Sequence, residues 1–446
     1  MNLIIHSIRT KGTRNFARRL GTVFTRFGFS EKRIRQALYA IMGSLQQYNG
    51  APTFFIPAVV LGRHPTLIRE LATNGAEIGI HGYVHNNYRT LSKHKQHKQT
   101  EQAISIFQQL QIPFQGFRNP YFCWNDASLH VFKALGFTYE SNEGVLHSDI
   151  DINTLSPLQR SGFEKSLALF QAIPCNTYTL RPHFEGKLLR LPASIPDDEV
   201  LFDRLRITDP QEVGCIWSKG MQRAYDLGGL YSLNIHPERG ILCRQALDVL
   251  LSYAHSRPLP VWLARMEDIA QWWKERSQFK LIITPEAADL WNVETLCHPR
   301  TTLLARHLSF TDQPTTRWSD SDVRIRSQCF RVHATKCPSI ALSSQTPQEV
   351  LDFLQEQGYP AVYCSQEEAP KYALYLDIPG GLGKTPEEQT RQRSALVQQV
   401  EELEAPLLHF GCWPDGNRAA LSITGDIDSV TIQDFFRRVI EVYRHR

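Results

Sequence analysis

The run His81-Gly-Tyr-Val-His85 sets two imidazoles four positions apart, directly after the apolar segment AEIGI. Two imidazoles at that spacing meet one divalent ion if the segment turns or is helical. Zinc takes a few N and O ligands and keeps one position open when it is catalytic. A chance pair of surface histidines is the competing reading. Gly116-Phe-Arg118-Asn-Pro120-Tyr121 sets a cation beside a proline-stiffened backbone, where it orients a carboxylate or a substrate oxygen or forms a structural ion pair. Leu233-Asn-Ile-His236-Pro237 puts a histidine at the end of another apolar run, as a proton carrier or as a satisfied core residue. Thr424-Gly-Asp426-Ile-Asp428 closes the run AALSI with two carboxylates, one for a metal and one for a proton. An Asx-type turn or a helix cap explains those aspartates equally well.

Each group follows a strand-like segment. In α/β sheets and barrels, ligands gather at the carboxyl ends of strands. Together the four supply a histidine pair, a cation, a separate histidine and two carboxylates, the parts for metal-assisted hydrolysis of an amide or ester.

The elements that must carry these groups alternate. TFFIPAVVL, AEIGIH, FQGFRNPYF, FTYES, GGLYSLNIH and LPVWLA read as strands. HPTLIRELATNG, KQTEQAISIFQQL, DASLHVFKALG, RQALDVLLSYAHS and MEDIAQWWKER read as helices between them. That rhythm predicts an α/β fold with parallel strands. After Ser277 the rhythm breaks into short β-like runs, so 278–406 reads as a smaller β-rich accessory domain. Within it, Thr346-Pro347-x-Glu349 and Thr385-Pro386-x-Glu388 both read as helix-starting capping boxes.

The chain has 446 residues, 42% hydrophobic and 21% charged, an ordinary globular composition. The net charge of +4 is too mild to imply nucleic-acid binding without a local patch. No apolar run reaches the roughly 18–20 residues a membrane span needs, and the start lacks the core and cleavage site of a signal peptide. Nine scattered cysteines without a CxxC pair read as free thiols of a reducing compartment. A cytoplasmic protein is therefore expected. Residues 9–35 are basic and carry Phe16, Leu20, Phe24 and Phe27 on one helical stripe, read as a helix packed on its own protein or as a peripheral contact with anionic membrane.

TFFIPAVVLGRHPTLIRELATNGAEIGIHGYVHNNYRTLS followed by GFRNPYF strongly resembles the polysaccharide deacetylase (NodB-homology) family, carbohydrate esterase family four. The resemblance spans roughly 50–275 and implies a distorted TIM-like (β/α)7 barrel. The family's H-x-x-x-H motif falls on His81 and His85, its R-x-P-Y motif on Arg118, Pro120 and Tyr121, and its Leu-x-His motif on Leu233 to His236. The family's first motif, an aspartate pair ahead of the TFFI strand, is missing there, since no Asp precedes Asp126. WPDGNRAALSITGDIDS near the C-terminus resembles a variant of that motif instead. A circular permutation is therefore expected. The barrel would comprise 1–277 and 407–446, its first strand displaced to the second piece and 278–406 inserted between.

The resemblance implies a metal-dependent hydrolase removing N-acetyl groups from an amino sugar in a polysaccharide or glycoconjugate. His81, His85 and Asp428 would hold a divalent ion, most simply Zn2+, and Asp426 would be the base, with a swap of the two aspartates open. Arg118 would hold Asp426, His236 would be the acid, and a backbone N–H near Tyr121 would meet the oxyanion. A carbohydrate-binding protein without turnover and an amidohydrolase on a small N-acyl substrate are the alternatives. Asp197 and Asp198 in LPASIPDDE are candidates for a site role, against the exposed turn their local sequence favours. PGGLGKT at 379–385 fails as a phosphate loop because position 378 is Ile378. Cys329 and Cys337 form no metal motif. Oligomeric state is left open.

Overall fold

The computed structural model describes residues 26–147, 150–310 and 314–445. Phe16, Leu20 and Phe24 of the amphipathic stripe lie outside them. Phe27 is buried, its ring 5.7 Å from that of Phe435.

Parallel pairing closes seven strands into a distorted barrel. Thr53–Ile56 pairs with Glu77–Ile80, which meets Gly116–Phe117, which meets Tyr139–Glu140. That stretch continues past a break as Gly144–Leu146. Alongside both halves run Leu188–Arg190 and Ala193–Ile195. Ala193–Ile195 touches Leu230–Ile235 at Ser194 and Leu233. Leu230–Ile235 pairs with Ala419–Asp426, and Ala419–Asp426 returns to Thr53–Ile56. Val261–Leu263 pairs with the first residues of Ala419–Asp426, below the end of Thr53–Ile56. The strand latest in the sequence thus stands between two early ones, beside TFFI.

The strands are buried along their whole length rather than on alternate residues, as expected where helices cover a parallel sheet. Close approach dictates two glycines. A Cβ on Gly79 would lie 2.5 Å from the Phe55 ring, and one on Gly116 would lie 1.9 Å from the Tyr139 ring. The helix Ile432–Arg444 follows the last strand, opened by a capping box between Thr431 and Asp434.

The accessory region after Ser277 is rich in β-strands, with two helices among them. Lys280–Ala287, Leu290–Leu296 and Cys329–His333 form an antiparallel sheet. Cys337–Ser343, Ala361–Cys364 and Tyr372–Leu376 form a parallel one, with the helices Gln348–Glu356 and Pro386–Glu401. Leu407–Phe410 pairs antiparallel with Leu303–Arg306, so accessory pairing runs past residue 406. One of the two capping boxes is absent. Thr385 and Glu388 cap each other, whereas Thr346 accepts from Ile378 N and Glu349 from Leu382 N. Those two side chains hold a distant loop, and the helix starts without them at Gln348.

Candidate metal and catalytic centre

His81 directly follows the Glu77–Ile80 strand. Its Nδ1 lies 2.9 Å from the Arg118 carbonyl oxygen. A donor N–H is needed there, so Nε2 is the ring's free acceptor. Gly82, at φ +83, reverses the chain, and the loop brings His85 back beside His81 with ring centroids 5.2 Å apart. The pair therefore meets through a turn, not a helix.

The loop after Ala419–Asp426 delivers the third group. Asp428 Oδ1 lies 3.5 Å from His81 Nε2, and Asp428 Oδ2 lies 3.0 Å from His85 Nε2. One ligand atom from each residue lies within 4.8 Å of the other two. His81 Nε2 and Asp428 Oδ1 are buried and have no hydrogen-bond partner. Two buried, unsatisfied acceptors facing each other are costly unless a cation joins them. Two imidazole nitrogens and a carboxylate are a donor set that suits zinc with a position left open. Burial pushes the His81 imidazole down to about 4, against the pull of Asp426 and Asp428, and so keeps it a neutral ligand. Burial works to raise the Asp428 carboxyl, but His85 and Arg438 beside it hold it well below the usual carboxylate range. Arg438 Nη1 donates to Asp428 Oδ2 at 2.8 Å from the Ile432–Arg444 helix.

Asp426 lies 3.8 Å from His81 Nε2 on the neighbouring side. Its Oδ1 accepts from Arg118 Nη1 at 3.3 Å and its Oδ2 from Asn234 Nδ2 at 3.0 Å. Arg118 has no exposed surface. Ser141, Asn234 and Thr424 also accept from it at 2.7–3.2 Å, and the Phe55 ring lies 4.3 Å from its Cζ. The guanidinium is thereby fixed in direction, not merely charged.

His236 stands at the end of Leu230–Ile235. Its Nδ1 lies 2.7 Å from Asp198 Oδ1, and its backbone N–H donates to Asp198 Oδ2 at 2.7 Å. Arg239 donates to the same Oδ2 at 3.0 Å. Burial opposes a charge on His236, but Asp198 outweighs it and raises the imidazole well above its usual value. Asp197 and Asp198 are thus no exposed turn. Both are buried, because His236 and Arg239 pair with Asp198, and Val200 N donates to Asp197. Tyr121 sits at φ +60, its ring edge-on to His85 at 4.5 Å.

His81, His85, Arg118, Tyr121, His236, Asp426 and Asp428 all stand at or just beyond strand ends of the barrel. His81, His85 and Asp428 converge on one point, with Asp426 and Arg118 adjoining. His236 carries its own acidic partner. Asn234, Arg239 and Arg438 were not singled out in the sequence, and Asp198 stood there as a site candidate against an exposed turn. Asp198 follows a strand as the others do, and that was its one local signal.

Residues 32–140 match the family model described as polysaccharide deacetylase. Among solved structures, the chain is similar to a protein of Mycobacterium smegmatis assigned as a polysaccharide deacetylase, at 23% identity and a TM-score of 0.42, over 59% of this chain and 85% of that one. Puue allantoinase is 19% identical with a TM-score of 0.39, over 53% and 72%. A probable polysaccharide deacetylase from Pseudomonas aeruginosa PAO1 is 20% identical with a TM-score of 0.41, over 54% and 74%. No curated protein matches the chain.

Proposed function

We propose that the protein is a divalent-metal hydrolase that removes the N-acetyl group of an amino sugar in a polysaccharide or glycoconjugate. The observation that carries this reading is the convergence of His81, His85 and Asp428 with two buried acceptor atoms left facing each other. A displaced acidic loop that stopped short of the histidines would have left only a binding module. The loop of Asp428 does not stop short.

His81, His85 and Asp428 are the proposed ligands. Zinc, when bound, supplies Lewis acidity that polarises the acetyl carbonyl and lowers the pKa of water. Asp426 accepts the proton of the attacking water as its oxygen bonds to the carbonyl carbon. Arg118 and Asn234 position that carboxylate, one on each oxygen. The Tyr121 N–H is the proposed donor to the developing oxyanion. The N–H groups of Phe122 and Cys123 close the turn on the Asn119 and Pro120 carbonyls. His236, kept protonated by Asp198, gives its proton to the nitrogen as the C–N bond breaks. The products are acetate and a free amine. The barrel so used comprises the described residues to 277 together with 419–445, and the residues between form the accessory part.

Acetate release from a panel of N-acetylated sugars, acylated amines and cyclic ureides tests the reading. Turnover of N-acetyl sugars that is lost together with bound metal in His81→Ala and His85→Ala is expected. Full turnover in a variant that has lost its metal would overturn it.

A further inference from the structure

The Ile432–Arg444 helix has two unlike sides. Its inner side carries Asp434 and Glu441, both paired with Arg63 at 2.6 Å, and Arg438, which reaches Asp428. Its outer side shows Phe436, Val439, Ile440 and Tyr443 at 45%, 44%, 52% and 69% exposure, at positions i, i+3, i+4 and i+7. Arg437 and Arg444 flank this stripe, exposed. Both acids of the helix are neutralised inward, so the outer side is apolar and cationic.

The surroundings extend that charge. The backbone oxygen of His445 accepts from Asn86 and Gln99. Gln99 lies in the first half of the helix Lys93–Gln109, whose Lys93, Lys95 and Lys98 are exposed. A contiguous stripe of large exposed side chains is unusual for a soluble monomer and marks a contact surface. An apolar face with arginine flanks is the make-up of a helix that lies in a bilayer interface. Negative lipid headgroups complement the rim of Lys and Arg. The chain's own first 25 residues do not complement it, since they hold Arg9, Lys11, Arg14, Arg18 and Arg19 and no acid.

We propose that the outer face of the Ile432–Arg444 helix is a docking surface for an anionic lipid bilayer. The helix would lie along the interface, its apolar stripe among the upper acyl chains and Arg437 and Arg444 at the headgroups. Its inner side already touches Asp428, so docking would set the candidate centre at the lipid surface. Docking itself does not depend on the deacetylase reading.

Flotation of the full chain with phosphatidylcholine vesicles, with and without phosphatidylglycerol, tests this. Binding to the anionic vesicles alone is expected, and it should weaken as salt rises. Ile440→Ser with Tyr443→Ser should reduce partitioning about tenfold or more, and so should Arg437→Gln with Arg444→Gln. These side chains are exposed, so both variants should keep the parent's circular dichroism and melting temperature. Failure of the parent to float would overturn the proposal. So would undiminished flotation of the Ile440/Tyr443 variant, which would move the contact elsewhere, for instance to the basic first 25 residues. Sedimentation showing a dimer that this variant dissolves would overturn it too, making a second copy the occupant.

Discussion

Arg118 Nη1 lies 3.3 Å from the Asp426 carboxylate, across 308 residues of chain. The pair joins the third strand of the barrel to its last-made one. It is buried, and Arg118 also donates to Ser141, Asn234 and Thr424. Arg118→Met should therefore destabilise the fold by about 3–5 kcal/mol, because it leaves a carboxylate and several acceptors uncompensated. Urea unfolding measures this loss. Turnover under conditions where the variant is still folded should drop by about 10²-fold or more, through loss of the orientation of Asp426.

The three proposed ligands make a prediction that needs no substrate. Metal analysis of purified protein should show near-stoichiometric divalent ion in the parent and almost none in Asp428→Asn or His85→Ala. A ligand held only by the folded state stabilises it by about 2.7 kcal/mol at a hundredfold excess over Kd. Chelation should accordingly lower the Tm of the parent and leave that of His85→Ala unmoved.

Asp198 sets the proton of His236. Its carboxylate favours the charged imidazole, so His236 stays protonated to a higher pH than an ordinary histidine. Removing that charge in Asp198→Asn should lower the His236 pKa. The alkaline limb of the kcat/KM profile should then move to lower pH, with kcat reduced. A profile whose alkaline limb stays in place would show that His236 is not the group titrating there.

Glu356 offers a prediction about stability alone. It is the last residue of the accessory helix Gln348–Glu356 and is buried, with both its oxygens facing the backbone N–H of Phe184. Burial pushes its carboxyl up to about 8 from an ordinary value of 4.5. Between those values the folded chain holds a proton that the unfolded chain has released, so stability falls as pH climbs through that window. Glu356→Gln keeps an acceptor for Phe184 and removes the titration. The parent should thus lose about 4 kcal/mol relative to this variant between pH 4 and pH 9. Urea unfolding across that range reads the difference.

The working residues were legible where chemistry follows an apolar run. IGI precedes His81, GF precedes Arg118, LNI precedes His236, and LSITG precedes Asp426. In a parallel barrel those positions point to one mouth, so strand pattern and residue type together located them. Asp198 reads in the sequence as a site candidate or an exposed turn, and the turn is favoured because adjacent acids ordinarily seek water. Its burial depends on Arg239 and on the backbone of His236, neither visible from LPASIPDDE. Arg438 was hidden for a related reason, since an arginine in an amphipathic helix reads as surface. Thr346 and Glu349 show the limit of local rules. Their spacing matches a cap, yet the loop at Ile378–Leu382 captures both side chains. The pairing of Leu407–Phe410 with Leu303–Arg306 has no local signal either, because antiparallel partners a hundred residues apart leave none.

Ala419–Asp426 is synthesised after every other strand of the ring. Until it emerges from the ribosome, Thr53–Ile56 and Leu230–Ile235 present bare, apolar edges with unpaired backbone groups toward one another. Such edges invite wrong partners in a crowded cell. Production of this protein should therefore be unusually sensitive to chaperone supply during translation, and ribosome-bound fragments ending before residue 419 should be caught by holdases rather than accumulate as quiet, half-built barrels.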